Sequence, residues 1–308
     1  MELNKIQVIV LLIIMFVTVQ ILGIATGYRY LHLMSIGEVE PALGDPASPM
    51  SSILLFAYLM VITAIMILVI KFKKEILTGF EALAIFFASL IVFDLLIPAI
   101  RIQGIIIPIS LILAIGLTAI HLHKRSHLTQ NLALTIAVAG AGAVLGASLG
   151  VVPVLIFMLA LGIYDFISVF YTKHMVYMAK AITEKPRAFT AALPTQTRGK
   201  EKHVEKLTKK RTRTNKEKSK TKNENKKGLR KYSKTFQLGG GDLAIPLVFT
   251  VSLLRIGPIQ ALAAAIGSLI ALVLLFSYLL KRPGIAIPAL PPVTAGAVLG
   301  FLISTILI

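Results

Sequence analysis

The chain has 308 residues, 56% of them hydrophobic, with a mean hydropathy of +0.83 and a formal net charge of +18. That composition excludes an ordinary soluble domain. The absence of cysteine excludes disulfides, thiol nucleophiles and thiolate metal sites.

Apolar runs of about twenty residues recur, each long enough to cross a bilayer core of about 30 Å. Long alternating segments of the barrel kind are missing. The expected fold class is therefore an all-α polytopic membrane protein with nine transmembrane helices. In chain order the expected spans are Ile6–Thr26, Ser52–Ile70, Ile76–Ile100, Ile105–Leu122, Asn131–Leu149, Val152–Tyr171, Leu238–Leu254, Gly257–Leu280 and Gly284–Ile308. The first has a core too long for a signal-peptide h-region and reads as a retained span. The fifth holds Gly142, Gly146 and Gly150 at four-residue spacing, a pattern for close helix–helix contact with an unspecified partner.

Three blocks follow from this order. Residues 1–182 form an N-terminal six-helix part, 183–237 a hydrophilic loop, and 238–308 a C-terminal three-helix part. The loop holds nineteen Lys/Arg against five Asp/Glu, so +14 of the total +18 sits there. With few apolar residues it cannot offset its ordering entropy, and disorder is expected. In its most basic stretch, Lys206–Lys234, and just after it, only Tyr232 and Phe236 offer stacking, so no nucleic-acid partner is expected. Anionic lipid headgroups suit it better, at about 1 kcal/mol per basic residue near the surface. The bland reading is a solvated linker that fixes topology. Lys173 to Ile182 fits a short interfacial helix just before it.

Loop charges set the orientation. Lys5, the trio Lys71, Lys73 and Lys74, the pair Lys124 and Arg125, the basic loop, and Lys281 with Arg282 all fall on one side, read as cytoplasmic. Arg29, Arg101 and Arg255 share the other side with Glu38, Glu40 and Asp45. The N-terminus is then inside and the C-terminus outside.

Four acidic residues fall within the spans: Glu81, Asp94, Asp165 and Asp242. Glu81 lies near a span end and is expected to reach headgroups. Asp94 is seven residues from Arg101, two helical turns, so the two can share a helix face, but it reads first as a polar packing or topology residue. Asp165 and Asp242 differ from these. Each is eight residues from the nearest cytoplasmic-side charge, Lys173 or Lys234, which is about 12 Å into the membrane for a regular helix. Their spans are consecutive and antiparallel, so the two carboxyls reach similar depth. An unpaired buried charge there costs several kcal/mol. Two neighbouring carboxyls can instead share one proton, giving a base and an acid side by side. Such a pair activates water without a metal or other cofactor. His121, His123 and His127 read as ordinary interfacial residues. From the two carboxylates alone, a hydrolase and a proton or ion path in a transporter stand level.

Around Asp242 the sequence reads Gly239-Gly240-Gly241-Asp242, a GxGD pattern, with Pro246 four residues on. Glycines permit close backbone approach, and Pro246 removes an intrahelical hydrogen bond. Broken backbone at membrane depth is tolerated only against protein or water, so this helix start is expected to line a wet cavity. The last span opens with "RPGIAIPALPPVTAG", whose prolines point to a second irregular segment beside it.

Tyr164-Asp165, Gly239–Asp242 and Pro288-Ala289-Leu290, in that order across nine spans with a long loop between the sixth and seventh, resemble the presenilin and signal-peptide-peptidase family. The resemblance implies an intramembrane GxGD aspartyl protease with Asp165 and Asp242 as its catalytic pair. It further implies that Tyr164, Gly239, Gly241 and Pro288, Ala289 and Leu290 shape the site and position substrate. The substrates implied are single-span membrane proteins or membrane-bound peptides. The basic loop favours the presenilin orientation over the inverted one of signal peptide peptidases. Short outer loops resemble those of a microbial, archaeal homologue in a cell membrane. The stretch "DLAIPLVF" departs from animal presenilins. Two other readings are kept: a prepilin-peptidase-like GxGD protease, and a transporter or ion leak pathway.

Overall fold

The structure is a computed structural model that describes residues 5–72, 74–97, 100–102, 105–123, 126–170, 190–194, 235–281 and 288–307. Nine helices lie among these residues, in the order of the nine expected spans: α1 (Lys5–Ser35), α2 (Pro49–Phe72), α3 (Lys74–Leu96), α4 (Ile109–His123), α5 (His127–Ser148), α6 (Val151–Phe170), α7 (Gly240–Leu253), α8 (Pro258–Lys281) and α9 (Leu290–Leu307). Five segments, in α1, α3, α5, α8 and α9, are long and apolar enough to cross a membrane; α2, α4, α6 and α7 contribute shorter apolar helices. The helix lengths follow from nearly unbroken apolar sequence, and capping decides some ends. At the start of α5, Ser126 Oγ accepts from the Thr129 backbone N–H at 3.2 Å, and the Ser126 N–H donates to Thr129 Oγ1 at 3.2 Å.

Two short antiparallel ribbons interrupt the helical pattern. Strand β1 (Ile100–Ile102) pairs with β2 (Ile105–Ile107), register Ile100 to Ile107. The third and fourth expected spans ran helix into these residues. Isoleucine-rich triplets are as content on extended backbone as in a helix, because β-branched side chains are stiff at χ1. Strand β3 (Thr190–Pro194) pairs with β4 (Thr235–Gly239), register Thr190 to Gly239 and Ala192 to Gln237. Both lie at the margins of the loop expected to be wholly disordered. The segment "TAALP" is an apolar interruption of polar sequence, and it supplies a strand partner for the residues before α7. The expected helix between Lys173 and Ile182 lies outside the described residues.

The centre of the bundle is α7. From Leu243 onward its side chains are almost all buried. Its 14 residues span only about 21 Å, less than a bilayer core. A helix surrounded by protein rather than lipid need not match that thickness. Gly23 and Gly27 of α1 face Leu247 and Val251, and Gly142 and Gly146 of α5 face Leu247 and the Val248–Val251 turn. Residue numbers rise together in both cases, so α1, α5 and α7 run parallel, their backbones brought close by the missing Cβ atoms. The glycine repeat of α5 thus meets partners within the chain. Its third member, Gly150, instead abuts the α1–α2 connection, donating its N–H to the Pro46 carbonyl at 2.7 Å.

Two expectations about charged residues change, those for Glu81 and His121. Glu81 does not reach headgroups: it is buried against His121, Oε1 to Nε2 at 2.8 Å, tying α3 to α4. His121 is accordingly a buried residue and not an interfacial one. Asp94 accepts from Ser110 Oγ at 3.1 Å, and because α3 ends at Leu96 the helical spacing to Arg101 no longer applies. Arg29 and Arg255 donate to the carbonyls of Leu95 and Ala147 at the C-terminal ends of α3 and α5. Cations there suit the negative end of the helix macrodipole.

Candidate active site

Each carboxyl is placed by the start of a helix. Asp242 is the third residue of α7, and its carboxyl turns back so that Oδ2 accepts the Gly239 N–H at 3.2 Å. This is the carboxylate half of a capping box, which satisfies a donor that the first turn leaves free. Gly239 is extended, at φ −68 and ψ 143, and a Cβ there would lie 3.3 Å from Asp242 Oδ2. Glycine lets the carboxyl fold back without that contact. Pro246, four residues on, has no N–H to return to the Asp242 carbonyl, which leaves that oxygen outside the regular helical ladder.

Asp165 is only 4% exposed, on α6 beside the half-buried Tyr164. Its carboxyl accepts the backbone N–H of Leu290, the first residue of α9. The sequence dictates this donor. Of the first N–H groups of α9, those of Pro291 and Pro292 do not exist, and that of Val293 closes the helix onto Ala289 at 3.3 Å. Leu290 carries the one left to give. The prolines therefore sit where a helix tolerates them, in the first turn, and do not disrupt it. Pro288 is buried, Ala289 packs against the cluster that holds Leu243 and Leu247, and Leu290 packs against that of Leu161 and Ile245. The "PAL" tripeptide is thus wedged between the two cores that carry the two aspartates.

The two carboxyls are near enough to interact electrostatically. Both rest on the positive ends of helices, α7 for Asp242 and α9 for Asp165, which offsets part of the cost of burying negative charge. Gly241 differs from Gly239. It is exposed, and a Cβ there would meet nothing within 4 Å. The close backbone approach expected for both glycines holds, within the protein, at Gly239 alone.

All the site residues expected from sequence lie in or beside this seam of α6, α7 and α9. Sequence reasoning did not find the Leu290 N–H as the partner of Asp165. The signal was present in "LPP", where two consecutive prolines leave a helix start with a single unspent donor. Nor did it find β3 beside the residues that lead into Asp242.

A bundle of apolar helices, five of them long enough to cross a membrane, that places two acids at helix N-termini has the character of a membrane protein built around an acid pair. Over residues 11–308 the chain matches the family model described as signal-peptide peptidase, presenilin aspartyl protease, and it belongs to that family. It is an integral membrane protein of the aspartyl protease type. Its fold is similar to a presenilin family intramembrane aspartate protease solved in space group C222, with a TM-score of 0.64 at 22% identity over 97% of this chain and 99% of that one. A second structure of such a protease, in space group P2, gives a TM-score of 0.62 at 22% identity over 96% of each chain. No curated protein sequence matches the chain.

Proposed function

We propose that the chain is an intramembrane endopeptidase that cuts peptide bonds within or near transmembrane segments, using Asp165 and Asp242 to activate water. The observation that carries this reading is that two acids, each accepting a backbone N–H at a helix start, Gly239 before α7 and Leu290 of α9, lie near enough to interact electrostatically. One proton shared between them gives an ionised and a protonated acid. The ionised one takes a proton from water as the oxygen attacks the scissile carbonyl carbon. The protonated one hydrogen-bonds to the carbonyl oxygen and transfers its proton to it, giving a gem-diol. Collapse re-forms the carbonyl, breaks the C–N bond and delivers a proton to the departing nitrogen. No covalent enzyme intermediate and no cofactor are needed.

A substrate helix must unwind before its amide can be attacked, and freed amides are satisfied by strand addition. The ladder of β4 already pairs with β3, so an incoming segment extends that ribbon or takes the place of β3. Leu290 spends its N–H on Asp165, which makes the start of α9 the poorer strand partner. The open space over Gly241 is where a substrate backbone can approach Asp242. Pro288, Ala289 and Leu290 hold Asp165 in place, and Tyr164 lies beside it. The loop charges put the N-terminus and the basic loop in the cytoplasm, with the C-terminus outside, and the basic loop against anionic lipid. The short outer connections are in keeping with a microbial homologue.

The deciding experiment incubates purified protein with a single-span membrane substrate, with and without an aspartyl-protease transition-state analogue, and reads products by mass spectrometry. Cleavage inside or next to the apolar segment that the analogue blocks is expected. Products that form equally well with the analogue present would reject the acid-pair mechanism.

A further inference from the structure

Within α1 two threonines and a glutamine lie at its middle turns and differ in what their side chains do. Thr18 and Thr26 each return their hydroxyl to their own helix, donating to the carbonyls of Ile14 and Leu22 at 2.7 Å. Gln20 does not. It is 5% exposed, and neither its Oε1 nor its Nε2 has a hydrogen-bond partner among the described residues. A glutamine carries its amide one methylene farther out than a serine or threonine carries its hydroxyl, so it does not fall into the hydroxyl pattern of bonding the helix's own carbonyls. An amide shut away from water with neither donor nor acceptor used is costly, and lipid around the bundle offers no relief.

The place of this amide is set by the parallel packing of α1, α5 and α7. Gly23 and Gly142 both abut Leu247, so the three helices meet at that level. Gln20 lies three residues before Gly23, which puts it level with Ala244 on α7. That is two residues, about 3 Å along the axis, beyond Asp242. Buried apolar residues lie near this level, Phe16 and Val19 on α1, Val138 and Ala139 on α5 and Leu243 on α7, with the buried Thr135 one turn earlier on α5.

We propose that Gln20 holds an internal water molecule in the seam of α1, α5 and α7, at the depth of Asp242. Water fits the chemistry of the site. It accepts from Nε2 and donates to Oε1, and it is small enough for a seam closed by glycine contacts. Buried waters characteristically make about three hydrogen bonds to buried polar groups that lack other partners. A partner protein has no access to a residue only 5% exposed.

The test is radiolytic hydroxyl labelling of the full-length protein in lipid nanodiscs equilibrated with 18O-water. Phe16 is 1% exposed and one helical turn from Gln20, so bulk water does not supply radicals to it. Phe249, 0% exposed in the second core cluster, is the control. We expect 18O incorporation at Phe16 well above that at Phe249, and its loss in Gln20→Met, which keeps length and removes both polar atoms. Incorporation at Phe16 no higher than at Phe249 overturns the proposal, and this wild-type comparison holds even if the variant fails to fold. Equal labelling of Phe16 in wild type and variant also overturns it. The unfolding temperature gives an independent check. A hydrated amide loses its bonds and its burial cost together when replaced, so Gln20→Met should unfold close to wild type. A rise of many degrees is the mark of an amide that was never hydrated, and would sink the idea.

Discussion

The two ends of α7 sit in opposite surroundings. Toward its C-terminal half the helix is closed in by Gly23, Gly27, Gly142 and Gly146, and added atoms there collide with Leu247, Val251 or the Val248 carbonyl. At its N-terminal turn Asp242 is half-buried, Gly241 faces open space and Pro246 breaks the ladder. One helix thus serves as a dry packing post at one end and as one wall of a polar seam at the other. The difference teaches that glycine has two jobs in this chain. Near Leu247 it lets helix backbones touch, and near Asp242 it leaves room for something the protein itself does not supply.

The comparison breaks most visibly at the carboxyls. Asp165→Asn or Asp242→Asn should each lower cleavage of a single-span substrate by more than about a thousandfold, as expected when one member of a cooperating set is lost. Each variant should still insert and unfold near the wild-type temperature, because an amide keeps the shape and can still accept the N–H of Leu290 or Gly239. Substantial cleavage by either variant would remove the acid pair from the mechanism. At the closed end the reverse pattern is expected. Gly146→Leu puts a side chain against the Val248 carbonyl and Val251, and overpacking of this kind costs about 1–3 kcal/mol or more. Its thermal unfolding should shift down by several degrees, with activity lost only in proportion to the folded fraction.

Much of this was legible in the sequence, and what was not has a common cause. The apolar runs and the order of Tyr164-Asp165, Gly239–Asp242 and Pro288–Leu290 are local patterns, and the helices follow in the expected order. The pairing of Glu81 with His121 joins residues forty positions apart and buries both, which neither side chain advertises alone. The strand at Thr190–Pro194 forms because Thr235–Gly239 is there to pair with it. Arg29 and Arg255 were read from sequence only as loop charges. In the fold both are bound to carbonyl ends of helices, Arg29 to α3 and Arg255 to α5. Arg255→Ala should therefore cost less than about 1 kcal/mol, the usual worth of a cation at an exposed helix end. The loss should appear as a small drop in unfolding temperature at low salt that shrinks as salt is added. No salt dependence would mean that the arginine contributes packing and not charge.

The smallest expected change in the fold is also the sharpest probe of the contrast between the two ends. Gly241→Ala adds a methyl group where nothing of the protein lies within 4 Å. Alanine in a helical turn also loses less chain entropy on folding than glycine, so stability should stay level or rise by up to about 1 kcal/mol. If the open space receives substrate backbone, the same methyl must lower kcat/KM, by roughly fivefold for about 1 kcal/mol of lost transition-state contact. A loss of turnover with no loss of stability assigns the space to the substrate. Unchanged kcat/KM would mean that the cleft over Gly241 lies off the substrate path, and that the glycine there answers only to the geometry of the helix start.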